Sequence, residues 1–367
     1  MNTRIASVTA VAAGLALAAT SVGARELTYG SYTSPTHTTY VNGVFPALER
    51  ITEQTNGEIT FEIFTGGAMG GPKELLGNAG NNILDIVSVV DIYVKAALPV
   101  SAMLSGMIVV GEDPKVMAAA MNEMQLLHCP DCEAERERSG VVGLSWSATA
   151  SYHVICKDPI DGLADLQGTK IRATSSVGRG MQEIGAAPVS ITTAEMYEAM
   201  QRGQIDCVAG STAWLKTYNL KDFAKMAWST SLGSYFGTMN FTINKDVWEN
   251  DLTEDQRQVF WDNMAENVAD VMWAYVADGE EGMDWLRENG GVVKEADDAF
   301  IAAWDKVQAE TVAETIKAGQ EAGIENAEDV VNTFMGLVDK WTKILEDVGD
   351  DKAMYQQKLQ EEIFSKI

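Results

Sequence analysis

The stretch that decides the fold is Leu166–Ser211, LQGTKIRATSSVGRGMQEIGAAPVSITTAEMYEAMQRGQIDCVAGS. Short apolar and β-branched runs at Lys170–Thr174, Pro188–Ile191 and Ile205–Ala209 read as strands. Helix-like segments, Ser176–Gly185 and Thr193–Arg202, separate them. A strand-helix-strand-helix-strand order predicts parallel strands joined by right-handed crossovers. The second helix has a legible start and stop. Thr192 followed by Glu195 forms a capping box, and Gly203 stands where a left-handed C-cap belongs.

In an open parallel sheet, ligands bind beyond the carboxyl ends of the strands. That rule selects Arg172 to Ser176, Ser190 to Thr193 and Gly210 to Thr212. Small hydroxyl residues crowd these ends, with one arginine among them. From the residues alone, Arg172 is equally a surface arginine at a strand edge or a planar fork of donors for a carboxylate. No nucleophile-base pair accompanies it.

The same alternation recurs upstream. Leu27–Tyr32 reads as a strand ending in the polar turn Thr33–His37, followed by a helix over 38–54 with Val41, Val44, Phe45, Leu48 and Ile51 on one face. Asn56-Gly57 turns the chain into Glu58–Phe64, and a further strand is predicted near Leu84–Val90. The chain thus contains two similarly built α/β halves. The glycine-rich loop Gly66–Gly71 lacks P-loop spacing and its Lys-Ser/Thr ending, and reads as a structural corner. Methionines at helical spacing over Asp113–Leu127 read as core packing. Thr253-x-x-Gln256 caps a long helix, in which Phe260, Met264, Val268, Val271, Met272 and Tyr275 repeat every three or four residues. The charged helical remainder, from about Asp297, is expected to pack around the second half.

The chain has 367 residues and a formal net charge of -26, and its mean hydropathy is near zero. That length supports a large two-domain core. The hydropathy excludes a polytopic membrane protein, and the acidity argues against nucleic acid and anionic membranes as partners. Residues 1–24 read as a secretory signal: Arg4 is basic, Val8–Thr20 is apolar, and Val22-Gly23-Ala24 offers a cleavage site. The mature chain would begin at Arg25, in the periplasm, with no membrane insertion of its own. Cys129-Pro-Asp-Cys132, read as part of an acidic linker, is expected to form a local structural disulfide rather than a redox or metal site. Cys156 and Cys207 fall on two predicted strands and are open to two readings, a second disulfide or two buried thiols.

Three pieces of the decisive stretch carry a resemblance: L-x-G-x-K-I-R, then G-A-x-P-V, then E-x-Y-x-A-M-Q-x-G-x-I-D. In combination they resemble the solute-binding proteins of TRAP transporters (tripartite ATP-independent periplasmic transporters, DctP type). Weaker similarity extends through Pro35-Thr36-His37, Thr55-Asn56-Gly57 and Ile243–Trp248, so it covers nearly all the mature chain. The resemblance implies an α/β protein of two lobes closing like a hinged trap, each a mostly parallel sheet flanked by helices, with a long inter-lobe helix. Lobe I is expected at 25–149 plus 240–278 and lobe II at 150–239 plus 279–367, with hinge strands near 148–156 and 237–244.

The resemblance also implies that Arg172 clamps a substrate carboxylate and that TRAP membrane permease subunits receive the solute. Many members carry a second arginine where this chain reads Ala150-Ser151-Tyr152-His153, and asparagine where it has Gly210. Tyr152 or His153 is then a candidate replacement donor. Contacts are expected from Arg172, Thr174, Gly210 and Trp214 on one side and from Ser34, Ser88 and Tyr93 on the other. Trp146, Tyr152, Tyr235 and above all Trp214 are candidates to cover an apolar ligand part. An aromatic box would also suit an ammonium group, so a zwitterionic or cationic solute is the alternative. No cofactor, metal or catalytic set is expected. The rival classes are a periplasmic enzyme and a ligand sensor for a receptor kinase.

Overall fold

The computed structural model describes residues 24–367; the expected signal, Ala24 apart, lies outside them. Among the described residues, eleven strands form two sheets. β1 (Arg25–Gly30), β2 (Ile59–Phe64), β3 (Ile86–Val90) and β4 (Val141–Ser147) belong to the first sheet. β5 (Tyr152–Cys156), β6 (Lys170–Arg172), β7 (Ala187–Val189), β8 (Cys207–Ser211) and β9 (Met226–Trp228) belong to the second. β10 (Thr238–Asn244) returns to the first and β11 (Val292–Lys294) to the second. The orders are β2-β1-β3-β10-β4 and β11-β9-β5-β8-β6-β7.

The decisive stretch supplies β6, β7 and β8, which pair in parallel through β6. The Thr192–Glu195 box is formed: the Thr192 N–H donates to the Glu195 carboxylate at 2.8 Å. Gly203 has φ +68°, the left-handed region. β10 runs antiparallel to both its neighbours, and so does β5. These two strands follow the segments that pass from one sheet to the other. The two passing segments lie side by side, with the Thr149 N–H on the Tyr235 carbonyl and the Tyr152 N–H on the Gly233 carbonyl, each at 2.7 Å.

Each sheet has its own apolar core. The first gathers Leu27, Ile86, Leu144, Phe241 and the methionines Met117, Met121 and Met124. The second gathers Val154, Ile171, Val208, Trp228, Phe300 and Trp304. Helix Glu254–Glu288 serves both. Phe260, Met264 and Val268 enter the first core, whereas Val271, Tyr275, Met283 and Leu286 enter the second. At ~1.5 Å per residue such a helix is about 52 Å long, enough to reach across both.

Three expectations are corrected. Helices Ala327–Val348 and Lys352–Glu362, assigned by pattern to the second half, place Val331, Phe334, Trp341 and Tyr355 in the first core. Ile108 and Val109, from the first half, are built into the second core. Cys129 and Cys132 lie not in a linker but at the start of helix Pro130–Arg138, where the Cys132 N–H donates to Cys129 Sγ. The two are disulfide-bonded and buried. Cys156 and Cys207 face each other across β5 and β8 and form the second disulfide.

Candidate functional site

Between the sheets is a cavity whose walls are chiefly phenolic. Seven of the chain's ten tyrosines line it: Tyr32, Tyr40, Tyr93, Tyr152, Tyr218, Tyr235 and Tyr275, with His37, Ser88, Thr193 and Trp214. Burial pushes the phenols of Tyr32, Tyr218, Tyr235 and Tyr275 well above their ordinary pKa, so each remains a neutral hydroxyl. The enclosed space is small, about 40 Å3, room for a few water molecules. Three hydrogen bonds draw the halves together over it. The Tyr32 and Thr193 hydroxyls are 3.0 Å apart, and the Tyr93 phenol meets Arg172 and Thr193.

Arg172 closes β6 and is 1 % exposed. Its Nε donates to the Ile191 carbonyl at 3.1 Å and its Nη2 to the Tyr93 phenol at 3.0 Å. Its Nη1 is buried without an acceptor. The guanidinium carbon lies 5.5 Å from the Trp214 ring centre, within cation–π range. Burial acts to lower the guanidinium pKa, but the phenols of Tyr93 and Tyr152 offset it and the group stays a cation. A buried charge with an unused donor is costly to keep. An anion at Nη1 would satisfy it.

Trp214 begins a short helix just after β8, so its indole hangs over the strand end. The indole Nε1–H donates to the Tyr275 phenol at 2.8 Å, tying the second sheet to the long helix. Tyr152 meets it edge-on at 5.1 Å and Tyr218 at 5.8 Å. Gly210 lies beneath, and any side chain there would collide with the indole. Gly210 thus makes room for Trp214 and does not itself line the cavity.

Two buried ionisable groups complete the setting. Burial pushes the His37 imidazole down to about 4, so it is neutral in ordinary buffers. Its Nδ1 accepts from the Thr39 N–H at 3.2 Å, which leaves the ring proton on Nε2 as a donor. Asp91 is fully buried behind the wall. Ser105 and Tyr235 donate to its Oδ1 at 2.5 and 2.8 Å, and Oδ2 has no partner. Burial outweighs these bonds and pushes its carboxyl up to about 8, so at neutral pH it is mostly uncharged and does not cancel Arg172.

Of the residues singled out from sequence, Tyr152, Trp214, Ser88, Tyr93 and Tyr235 line the cavity, and Arg172 lies directly behind Tyr93. Thr174 lines a neighbouring cleft that shares Tyr93, where Ser190 to Thr192 also lie. Three others go elsewhere. His153 faces a separate cleft with Ser151 and Glu280, and its Nδ1 lies 3.1 Å from the Thr230 carbonyl. Its strand neighbour Tyr152 takes the cavity side, because successive strand residues point oppositely. Trp146 is buried in the first core under the Arg136 guanidinium. Ser34 bonds locally to Thr36 in the outer turn. Glu195, in the same cleft as Thr174, is engaged in its cap.

The sequence profile "Bacterial extracellular solute-binding protein, family 7" (DctP) matches residues 30–318. The chain belongs to this family, the solute-binding proteins of TRAP transporters. Among curated proteins it is 26% identical to the uncharacterised protein YiiZ of Salmonella typhimurium over 165 residues, 43% of this chain and 48% of that one. It is 25% identical to a solute-binding protein of Albidiferax ferrireducens over 177 residues, 48% of this chain and 52% of that one. The chain spans about half the length of the curated relatives it matches. Solved structures share its fold. A TRAP solute-binding protein of Rhodoferax ferrireducens T118, in complex with copurified benzoate, has TM-score 0.76 at 18% identity, covering 87% of this chain and 99% of that one. One from a marine metagenome, specific for aromatic acid ligands and crystallised with 3-hydroxybenzoate, has TM-score 0.77 at 20% identity, covering 87% and 99%. One from Sulfitobacter sp. NAS-14.1 with bound β-D-galacturonate has TM-score 0.70 at 17%, covering 84% and 99%. Among the described residues no helix is long and apolar enough to cross a membrane.

Proposed function

We propose that this chain works in the periplasm, where it captures a small organic solute bearing a carboxylate, closes its two lobes around it, and presents the closed form to TRAP membrane permease subunits. The observation that carries this reading is Arg172: a buried cation at a strand end, beside an aromatic cavity, with Nη1 unpartnered. The bridging segments at 148–151 and 229–237 serve as the hinge. A solute enters with the lobes apart, since the space now enclosed is only about 40 Å3. The phenolic lining favours a flat, ring-bearing body whose faces are covered and whose polar edge meets hydroxyls. Benzoate, 3-hydroxybenzoate and galacturonate, bound by the proteins compared above, are all carboxylates.

A zwitterion with a quaternary ammonium is the second reading, because the tyrosine box offers faces to a cation. Asp91, mostly uncharged, gives such a group little counter-charge. The discriminating experiment is a thermal-shift screen of benzoate, mandelate, galacturonate, glycine betaine and benzamide against purified protein. Carboxylates are expected to raise Tm and benzamide to leave it unchanged. A shift from betaine alone would replace the carboxylate reading, and steady turnover of a bound solute would favour an enzyme.

A further inference from the structure

The Tyr93 phenol accepts from two donors on the opposite side of the cavity. Tyr93 ends the turn Asp91–Tyr93 that follows β3 of the first sheet. Arg172 Nη2 and the Thr193 backbone N–H, both from the second-sheet side, reach its oxygen at 3.0 and 3.1 Å. Thr193 is the first residue after the cap Thr192, where a helical N–H has no internal acceptor. Guanidinium and amide N–H groups only donate. A phenolic oxygen has two lone pairs and one proton, so both lone pairs are engaged and the proton must point elsewhere. Among the described residues no hydrogen bond gives that proton an acceptor. Arg172 Nη1, one bond from the carbon that bears Nη2, lacks an acceptor as well. Two unused donors from opposite lobes therefore lie close together, one on Tyr93 in the cavity wall and one on Arg172 directly behind it.

We infer that Tyr93 is the second arm of the anion clamp and the residue that couples anion binding to closure. Its O–H and Arg172 Nη1–H take the two oxygens of one solute carboxylate, while its lone pairs hold the second lobe. This rests on the carboxylate reading above. Tyr152 cannot serve the same purpose, because it lies on β5, in the same sheet as Arg172. With the lobes apart, Tyr93 leaves Arg172 and Thr193, and the carboxylate loses one arm. The solute thereby interacts differently with the open and closed states, which ligand-driven closure requires. One cation paired with one neutral donor balances a single negative charge, so the clamp selects a monocarboxylate over a dicarboxylate.

The test is Tyr93→Phe, probed with benzoate by calorimetry, stopped flow and small-angle scattering. Affinity is expected to fall roughly ten- to hundredfold, the range for a hydrogen bond to a charged group. The loss should appear as faster dissociation, with the association rate within about threefold of wild type, and benzoate should compact the variant less. Thr193→Pro removes the backbone donor at a first helical position that tolerates proline, together with the hydroxyl that meets Tyr32. Thr193→Val removes the hydroxyl alone, and the proline variant should dissociate faster than the valine one. Unchanged affinity in Tyr93→Phe, or a loss confined to the association rate with normal compaction, overturns the inference. Wild-type protein that ignores benzoate, mandelate and galacturonate alike would instead sink the carboxylate reading, and this inference with it.

Discussion

The indole of Trp214 occupies the space that a side chain on Gly210 would need. The two residues act as one unit at the end of β8, so the asparagine that the family resemblance leads one to expect at 210 would meet the indole. Gly210→Asn should therefore not restore a polar contact. It should push Trp214 off Tyr275 and out of the wall, at about 1–3 kcal/mol, the usual scale of overpacking. Calorimetry with the solute, together with tryptophan fluorescence, checks both consequences.

Arg172→Met separates function from stability. The native guanidinium is buried with one donor unused, and such charges are often replaceable by apolar groups without loss of stability. Tm of the solute-free variant should stay near wild type or rise. Carboxylate binding should weaken by about 1.5–3 kcal/mol or more. A large drop in Tm with binding retained would make Arg172 structural.

The two buried titratable groups pull stability in opposite directions with pH. His37 is pushed down to about 4 from 6.5. Between those values the unfolded chain binds more protons, so stability falls as pH drops from 6.5 towards 4. Asp91 is pushed up to about 8 from 3.8. In that interval the folded chain holds the extra proton, so stability falls as pH rises through it. Thermal melts from pH 4 to 9 should show His37→Gln flattening the acid limb and Asp91→Asn the alkaline one.

The two disulfides should differ sharply in weight. Cys156 and Cys207 are 51 residues apart in sequence, Cys129 and Cys132 only three. On the chain-entropy account the longer loop is worth about 4 kcal/mol, and the short one much less. Denaturant melts of the two double Cys→Ala variants measure the difference.

Much of the architecture was legible because it is written locally. The alternation over 166–211, the capping box Thr192–Glu195 and the glycine at 203 each announce themselves within a few residues. The long helix was visible too, since Phe260 to Tyr275 keep a helical period. The cavity wall was less so. Tyr218 stands four residues after Trp214, a spacing that puts both on one helical face and could have found it. Tyr275 fits the core period of its helix, and nothing local separates a packing tyrosine from one facing a void. His37 and Asp91 are single polar residues whose importance comes only from burial. The C-terminal helices show why pattern alone misassigns partners: amphipathicity says that Trp341 and Tyr355 are buried, but not against which sheet.

The long helix Glu254–Glu288 has a calorimetric consequence. One rod lends buried side chains to two separate interiors, so neither half can melt without stripping apolar surface from the other. Scanning calorimetry of the intact chain should record a single endotherm, even though the proposed cycle parts and rejoins the two lobes.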